Sequence, residues 1–294
     1  MPAPARAIVP IVSALACAIL PACTRPSSDA PRQGASAGET ISLSGSDTMV
    51  LLGQRWAEEY MRANPSVSLH VSGGGSGTGI AALIQGSADI CQASRAMTDR
   101  EQDDLEAKRG KPAVQTKVAL DAVAIYVNAK NPLRDLSLPR LAAVYEGKIT
   151  RWEGLGGAAH AVVVYGRENN SGTYGYFKEH VLGGVDFAAG TQELAGTAAV
   201  ASAVKADEFG IGYGGIAYGE GVRALAIRRD EGAPAVTPSL EAAQRGTYPL
   251  TRYLYFYTAG PPSPVMQRFI AWVTGPEGQK MVSDVGYYPL PKES

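Results

Sequence analysis

Short apolar stretches alternate with amphipathic ones along this chain, and small polar loops fall between them. Ile41-Ser42-Leu43 has the period of two that suits a strand. After Gly45-Ser46-Asp47-Thr48, the apolar positions Met49, Leu52, Trp56 and Tyr60 recur three or four apart, which lays them along one helix face. Val67 to Val71 alternates again and runs into the glycine cluster Gly73-Gly74-Gly75. A helical pattern from Ile80 to Gln85 and a third apolar strand from Ala88 to Gln92 follow. Strand and helix in alternation predict an α/β fold, a mixed and mostly parallel sheet covered by helices. Such sheets bind ligands where strand ends meet helix starts.

The layout repeats further on. Glu101 to Arg109 is a charged, solvated helix, and Val118 to Val127 (VALDAVAIYV) is a nearly continuous apolar run that suits a central strand or a crossover. Asn131-Pro132 breaks it; Leu136 to Tyr145 then reads as a helix and Ala161 to Tyr165 as a strand. That strand leads into the loop Arg167 to Thr173 and a helix from Tyr174 to Val181. Ala195 to Ala206 is helical, and Phe209 to Gly215 is a glycine-spaced strand where backbones approach closely. Val222 to Ile227 and Tyr253 to Tyr257 read as strands, Val265 to Val273 and Glu277 to Val285 as helices.

Three loops share one logic. Ser46-Asp47-Thr48, Ser76-Gly77-Thr78 and Ser171-Gly172-Thr173 each put hydroxyls and backbone N–H groups at a helix start, where unpaired donors and the helix dipole attract anions. The same residues suit ordinary helix capping, which explains any one of the loops alone. Arg167, at a strand end just before the third loop, is placed for a bidentate contact to an oxyanion, or for an ion pair with Glu168 or another carboxylate.

Composition narrows the partners. The chain has 294 residues, 45% of them apolar, which is enough for two lobes, and its formal net charge of −1 lacks the basic surplus of a nucleic-acid binder. An anion site here is therefore local. The amino terminus has Arg6, an apolar region from Ala7 to Leu20 and then Leu20-Pro21-Ala22-Cys23, a secretory signal pattern whose end resembles a bacterial lipoprotein cleavage box. Residues 1–22 read as the signal peptide and Cys23 as the lipidated residue; a soluble export signal with an incidental cysteine is the alternative. Residues 23–39 have the Ser, Ala, Pro and Gly content of a flexible tether, which would hold a folded domain off a membrane surface. Cleavage would leave Cys23 and Cys91, hence no intramolecular disulfide, and Cys91 reads as a small buried residue.

Enzymatic readings fit poorly. The glycine stretch lacks the lysine of a nucleotide P-loop, misses the dinucleotide fingerprint, and lacks the last glycine of a nucleophile elbow. His70, His160 and His180 stand far apart and read as strand, loop and helix surface residues. Ser202-Ala203-Val204-Lys205 fits a Ser-x-x-Lys pattern without its companion motifs. No cofactor and no metal-ligand spacing is expected, and no apolar run after the signal is long enough to span a membrane.

Five segments together resemble the PstS family, the periplasmic phosphate-binding proteins of the bacterial high-affinity phosphate ABC transporter. They are Gly45 to Met49 (GSDTM), Gly73 to Met97, Tyr145 to Trp152 (YEGKITRW), Arg167 to Tyr174 (RENNSGTY) and Gly210 to Gly215 (GIGYGG). The resemblance implies a two-lobed type II periplasmic binding protein, joined by two crossover strands at Val118 to Val127 and near Val222 to Ile227. One lobe would comprise 40–122 and 225–294, the other 123–224. It implies a non-enzymatic, monomeric, extracytoplasmic receptor, anchored to the membrane through Cys23, that delivers inorganic phosphate to permease subunits. Matched by motif, the phosphate-binding residues would be Ser46, Asp47, Thr48, Met49, Ser76, Ser94, Arg95, Arg167, Ser171, Gly172 and Thr173. Some members of that family carry an aspartate near the position of Ser94 or Arg95, where it accepts the proton of bound phosphate. Here the loop reads Ser94-Arg95, and Asp47 is the candidate acceptor or else a plain helix cap. Another tetrahedral oxyanion on the same fold is the alternative ligand; a serine hydrolase or phosphatase is a further reading.

Overall fold

The computed structural model describes residues 38–291; the expected signal peptide, Cys23 and the tether as far as residue 37 lie outside the described residues. The chain begins with β1 (Glu39–Gly45), α1 (Asp47–Ala63), β2 (Val67–Gly74), α2 (Ser76–Gln85), β3 (Ile90–Ala93), α3 (Asp99–Arg109) and the long β4 (Ala113–Val127). β1 runs parallel to both β2 and β3, as the strand and helix alternation predicts. Next come β5 (Asp135–Ser137), α4 (Leu138–Tyr145), β6 (Val163–Arg167), α5 (Gly172–His180), β7 (Gln192–Leu194), α6 (Thr197–Ala206) and β8 (Gly210–Gly215). β9 (Arg223–Ala224), β10 (Ala226–Arg228), α7 (Leu240–Gln244), β11 (Thr251–Ala259), α8 (Pro264–Thr274) and α9 (Pro276–Val285) complete it.

β4 is the pivot of the architecture. Its residues from Ala113 to Ala122 pair antiparallel with β11, which in turn pairs with β3, so a first sheet runs β2-β1-β3-β11-β4. From Val123 to Val127 the same strand pairs with β8, and β8, β6 and β7 continue a second, parallel set. Residues Val118 to Val127 are buried without interruption, because this stretch is covered on both faces in one lobe or the other.

Each set of strands has its own core. Met49, Leu52, Trp56 and Tyr60 of α1 pack with Ile41, Leu43, Phe256, Phe269 and Val273 in the first. The Trp56 ring meets Phe256 edge-on at 5.6 Å, and its indole N–H donates to the Gly278 carbonyl at 2.9 Å, so the polar end of the buried ring is satisfied. Ile125, Leu141, Tyr145, Trp152, Phe177 and Tyr213 form the centre of the second. The molecule is thus a two-lobed α/β protein whose lobes share crossover strands.

Two details differ from the sequence reading. Leu136 to Tyr145 is split: Leu136 belongs to β5, and Ser137 caps α4 by accepting from the Arg140 amide, with Pro139 in the first turn. The split follows from the cap: Ser137 is extended and caps the helix, and Pro139 suits the first turn, where its missing N–H has no intrahelical partner to lose. The segment from Val222 to Ile227 does not lead back to the first sheet: β9 pairs with the end of β4, β10 pairs with β5, and Leu225 and Ile227 join the second core. The return strand is β11, which opens at Thr251 opposite Ala122. Cys91 is fully buried in a small apolar cluster with Ile80, Leu83 and Tyr257, as a structural thiol should be. Among the described residues no helix is long and apolar enough to cross a membrane.

Candidate functional site

All three serine-containing loops open helices, but only one of the serines caps its own. Ser171 Oγ accepts from the Thr173 and Tyr174 amides at 3.2 and 3.4 Å. Ser46 precedes α1 and Gly75 precedes α2, and neither start has a side-chain cap. Capping therefore leaves the Ser46 and Ser76 hydroxyls unexplained. A fourth start joins them: Thr197 opens α6 behind Gly196, again with no side-chain cap.

These starts converge on one buried patch. Thr48 Oγ1 lies 2.9 Å from Thr173 Oγ1 and 3.4 Å from Thr197 Oγ1. Ser76 Oγ lies 3.3 Å from Ser94 Oγ and accepts from the Ser94 amide at 3.1 Å. Ser46, Thr48, Ser76, Ser94, Ser171, Thr173 and Thr197 are each at most 2% exposed. Gly172 ties the two hydroxyl groups together, since a Cβ there would stand 2.6 Å from Ser94 Oγ and closer still to Ser76 Oγ. Only a bare α-carbon lets the α5 start reach that pair.

Arg167 ends β6 inside this patch and is 1% exposed. Its Nη1 donates to Thr197 Oγ1 at 2.8 Å and its Nη2 to Asp47 Oδ2 at 2.9 Å, whereas Nε is buried without a partner. Glu168 is not its ion partner; Asp47 is. Burial pulls the Arg167 pKa down and the Asp47 carboxylate opposes that. Asp47 also accepts from the Gly74 amide through Oδ1 at 2.8 Å, and its carbonyl accepts from the Tyr218 hydroxyl at 2.9 Å. Each carboxylate oxygen has two acceptor positions, so Asp47 keeps one free position on each oxygen.

Two expected residues are placed otherwise. The Arg95 guanidinium spends Nη1 and Nη2 on Glu101 at 2.7 Å each, and Nη1 also donates to the Ala96 carbonyl. The acidic partner six residues on, at the start of α3, draws this arginine away from the patch. Met49 sends its side chain into the first core with no exposure, because it lies on the apolar face of α1, and its amide already donates to the Ser46 carbonyl. The glycine stretch also differs in part: the Gly77 amide donates to the Asn170 carbonyl at 2.9 Å, and Asn170 Nδ2 returns a bond to the Gly74 carbonyl at 2.9 Å. That donor closes a clasp between loops rather than facing a ligand.

Sequence reasoning missed Asn170, Thr197 and a buried ion pair, Asp121 with Arg252. Arg252 Nε and Nη2 donate to Asp121 Oδ2 at 2.9 and 2.8 Å, and Nη2 also reaches Thr173 Oγ1 at 3.0 Å. Burial pushes the Asp121 carboxyl up, and Arg252 and the Ile216 amide work against it. A signal existed: a lone aspartate inside the apolar run VALDAVAIYV.

The patch offers hydroxyls, amides and guanidinium N–H groups, which are donors for an oxyanion. The histidines are engaged elsewhere: His160 stacks on Phe209 at 4.0 Å, His180 stacks on Tyr176 at 4.0 Å, and His70 is exposed beside Ser68. Among the described residues no group of His, Cys, Asp and Glu could hold a metal ion.

Comparison with known proteins agrees with this chemistry. A family model described as a PBP superfamily domain matches residues 30–277. The phosphate-binding protein PstS of Pseudomonas aeruginosa is 37% identical over 268 residues, covering 85% of this chain and 83% of that protein. PstS of Bacillus subtilis is 29% identical, covering 90% of this chain and 85% of its own length. A candidate phosphate ABC transporter substrate-binding protein from Clostridium perfringens, solved with bound phosphate, superposes with a TM-score of 0.77 at 27% identity, covering 86% of this chain and all of that one.

Proposed function

Because the chain belongs to the PstS family of phosphate-binding proteins, within the periplasmic-binding-protein superfamily, we propose that it is a receptor that captures inorganic phosphate between its lobes and delivers it to the permease subunits of an ABC transporter. The observation that carries this reading is the Arg167 guanidinium, 1% exposed and with a free Nε, set among helix-start hydroxyls. Each hydrogen bond to a charged group contributes about 1.5 to 3 kcal/mol, and micromolar affinity needs about 8 kcal/mol, so a handful of these donors is sufficient.

In this reading Ser46, Thr48, Ser76, Ser94, Arg167, Ser171, Gly172 and Thr173 surround the anion, and Asp47 accepts the phosphate proton while it orients Arg167. Arg95 and Met49 act from outside the site. The first lobe comprises 40–122 and 251–291 and the second 123–250, a boundary taken from the return of the chain at β11. The receptor works as an extracytoplasmic monomer without catalysis, tethered by lipid on Cys23. Phosphate stabilises the closed arrangement by binding it better than the open one.

Calorimetry on protein stripped of bound ligand tests the proposal. We expect saturable, one-to-one phosphate binding that equimolar sulfate displaces only weakly. Absence of binding at millimolar phosphate would overturn the function, and strong displacement by sulfate would remove Asp47 as proton acceptor and favour a general oxyanion receptor.

A further inference from the structure

β11 contributes a buried charge that phosphate capture by the residues above leaves unexplained. Arg252 is 5% exposed and stands in register with Asp121, next to the point where β4 passes from one sheet to the other. Its two bonds to Asp121 Oδ2 fix the plane of the guanidinium. Nη2 then reaches Thr173 Oγ1, whose other partner is Thr48 Oγ1. Nη1 belongs to the same planar group, next to Nη2, and is buried without a partner.

A charged donor left buried and unpaired is costly, so in a folded protein it points to an acceptor that arrives from elsewhere. Asp121 does not serve Nη1: its Oδ2 takes Nε and Nη2, its Oδ1 takes the Ile216 amide at 3.1 Å, and Nη1 reaches neither oxygen. Arg167 carries the same mark at Nε. Two nearly inaccessible guanidiniums, each with one unpartnered nitrogen, thus border the same group of threonine hydroxyls.

Building on the phosphate reading, we infer that Arg252 is a second guanidinium of the anion site, contacting the bound oxyanion through Nη1 from the strand that joins the lobes. The ligand is then held from both lobes and from the crossover itself. Asp121 is the positioning residue: it holds the guanidinium plane so that Nη1 faces the ligand side.

The test combines affinity with a spectroscopic readout of contact. Arg252→Gln alone would leave Asp121 buried and unpaired, so the double variant Arg252→Gln/Asp121→Asn, which removes both charges and keeps both shapes, is titrated with inorganic phosphate. A loss of affinity of at least about 30-fold relative to wild type is expected. In parallel, nitrogen-15 NMR of the arginine side chains of the wild-type protein follows phosphate addition, with Arg252→Lys and Arg167→Lys assigning the signals. Both Arg167 and Arg252 resonances should shift in step with binding. A wild-type protein that binds phosphate while the Arg252 resonance stays fixed, or a double variant within about threefold of wild-type affinity, overturns the inference and leaves the phosphate reading standing. A wild-type protein that binds no phosphate overturns both. Should the double variant not fold, the NMR result on wild type decides alone.

Discussion

Arg167 concentrates the physical argument at the scale of single residues. Its burial is tolerable because Asp47 and Thr197 bond Nη2 and Nη1, and Nε is the guanidinium nitrogen left without a partner and free to meet an anion. Arg167→Ala should weaken phosphate binding at least about 100-fold, about 2.7 kcal/mol or more. The fold should persist, since the Asp47 side chain is 24% exposed and can turn to water once its partner is gone. Calorimetry with a thermal melt checks both halves; wild-type-like affinity would remove Arg167 from the site. Residues of this kind were unevenly legible. Arg167 stood at a strand end just before a Ser-Gly-Thr loop, so local pattern found it. Arg252 sits in an alternating strand, TRYLYFYT, where nothing local separates a buried arginine from an exposed one. Only its register against Asp121, a contact 131 residues away in sequence, buries it.

Elements were more legible than side-chain pairings. Helix α1 was visible because Met49, Leu52, Trp56 and Tyr60 keep one apolar face, and that face is what the first core covers. The same periodicity could not show that Met49 faces away from the ligand loop it borders. The α5 start depends on a close approach, and this yields a prediction: Gly172→Ala should lower phosphate affinity at least about tenfold, because the methyl would collide with the Ser76 and Ser94 hydroxyls. The helix itself should remain, as alanine is a good helix former. Unchanged affinity in calorimetry, with unchanged circular dichroism, would mean the loop has slack.

Helix α3 supports a second prediction at this scale. Burial would raise the Glu101 carboxyl, but the Arg95 guanidinium and the Thr98 amide outweigh it, so its pKa lies below the ordinary value. A depressed folded-state pKa gives stability that is fully present above the unfolded value, about 4.3, and lost as pH falls through the folded one. Glu101→Gln keeps the capping geometry while removing the charge. Its melting temperature should fall below that of wild type at neutral pH, and the two should converge in acid as the pH falls through the depressed pKa of Glu101. A gap that persists in acid would assign the loss to the cap instead of the ion pair.

For the whole molecule, the decisive feature is that β4 is one uninterrupted strand of 15 residues with different partners at its two ends. The junction between lobes therefore contains no loop at this crossover. Its backbone pairs with β11 from Ala113 to Ala122 and with β8 from Val123 to Val127, and at the junction the Leu120 and Val123 amides donate to the Tyr288 and Leu250 carbonyls. The Gly77 and Asn170 clasp, by contrast, spans loops that bound phosphate would hold together. Hydrogen exchange should separate the two: amides of 118–127 should exchange slowly with or without phosphate, whereas the Gly77 amide should exchange markedly faster once phosphate is removed. Fast exchange through the middle of β4 in the ligand-free protein would mean that opening breaks the strand. Slow exchange there would instead mean that opening is a small twist shared along a continuous ribbon, as in a spring, so that the energy stored in the twist would set how readily a bound anion is let go.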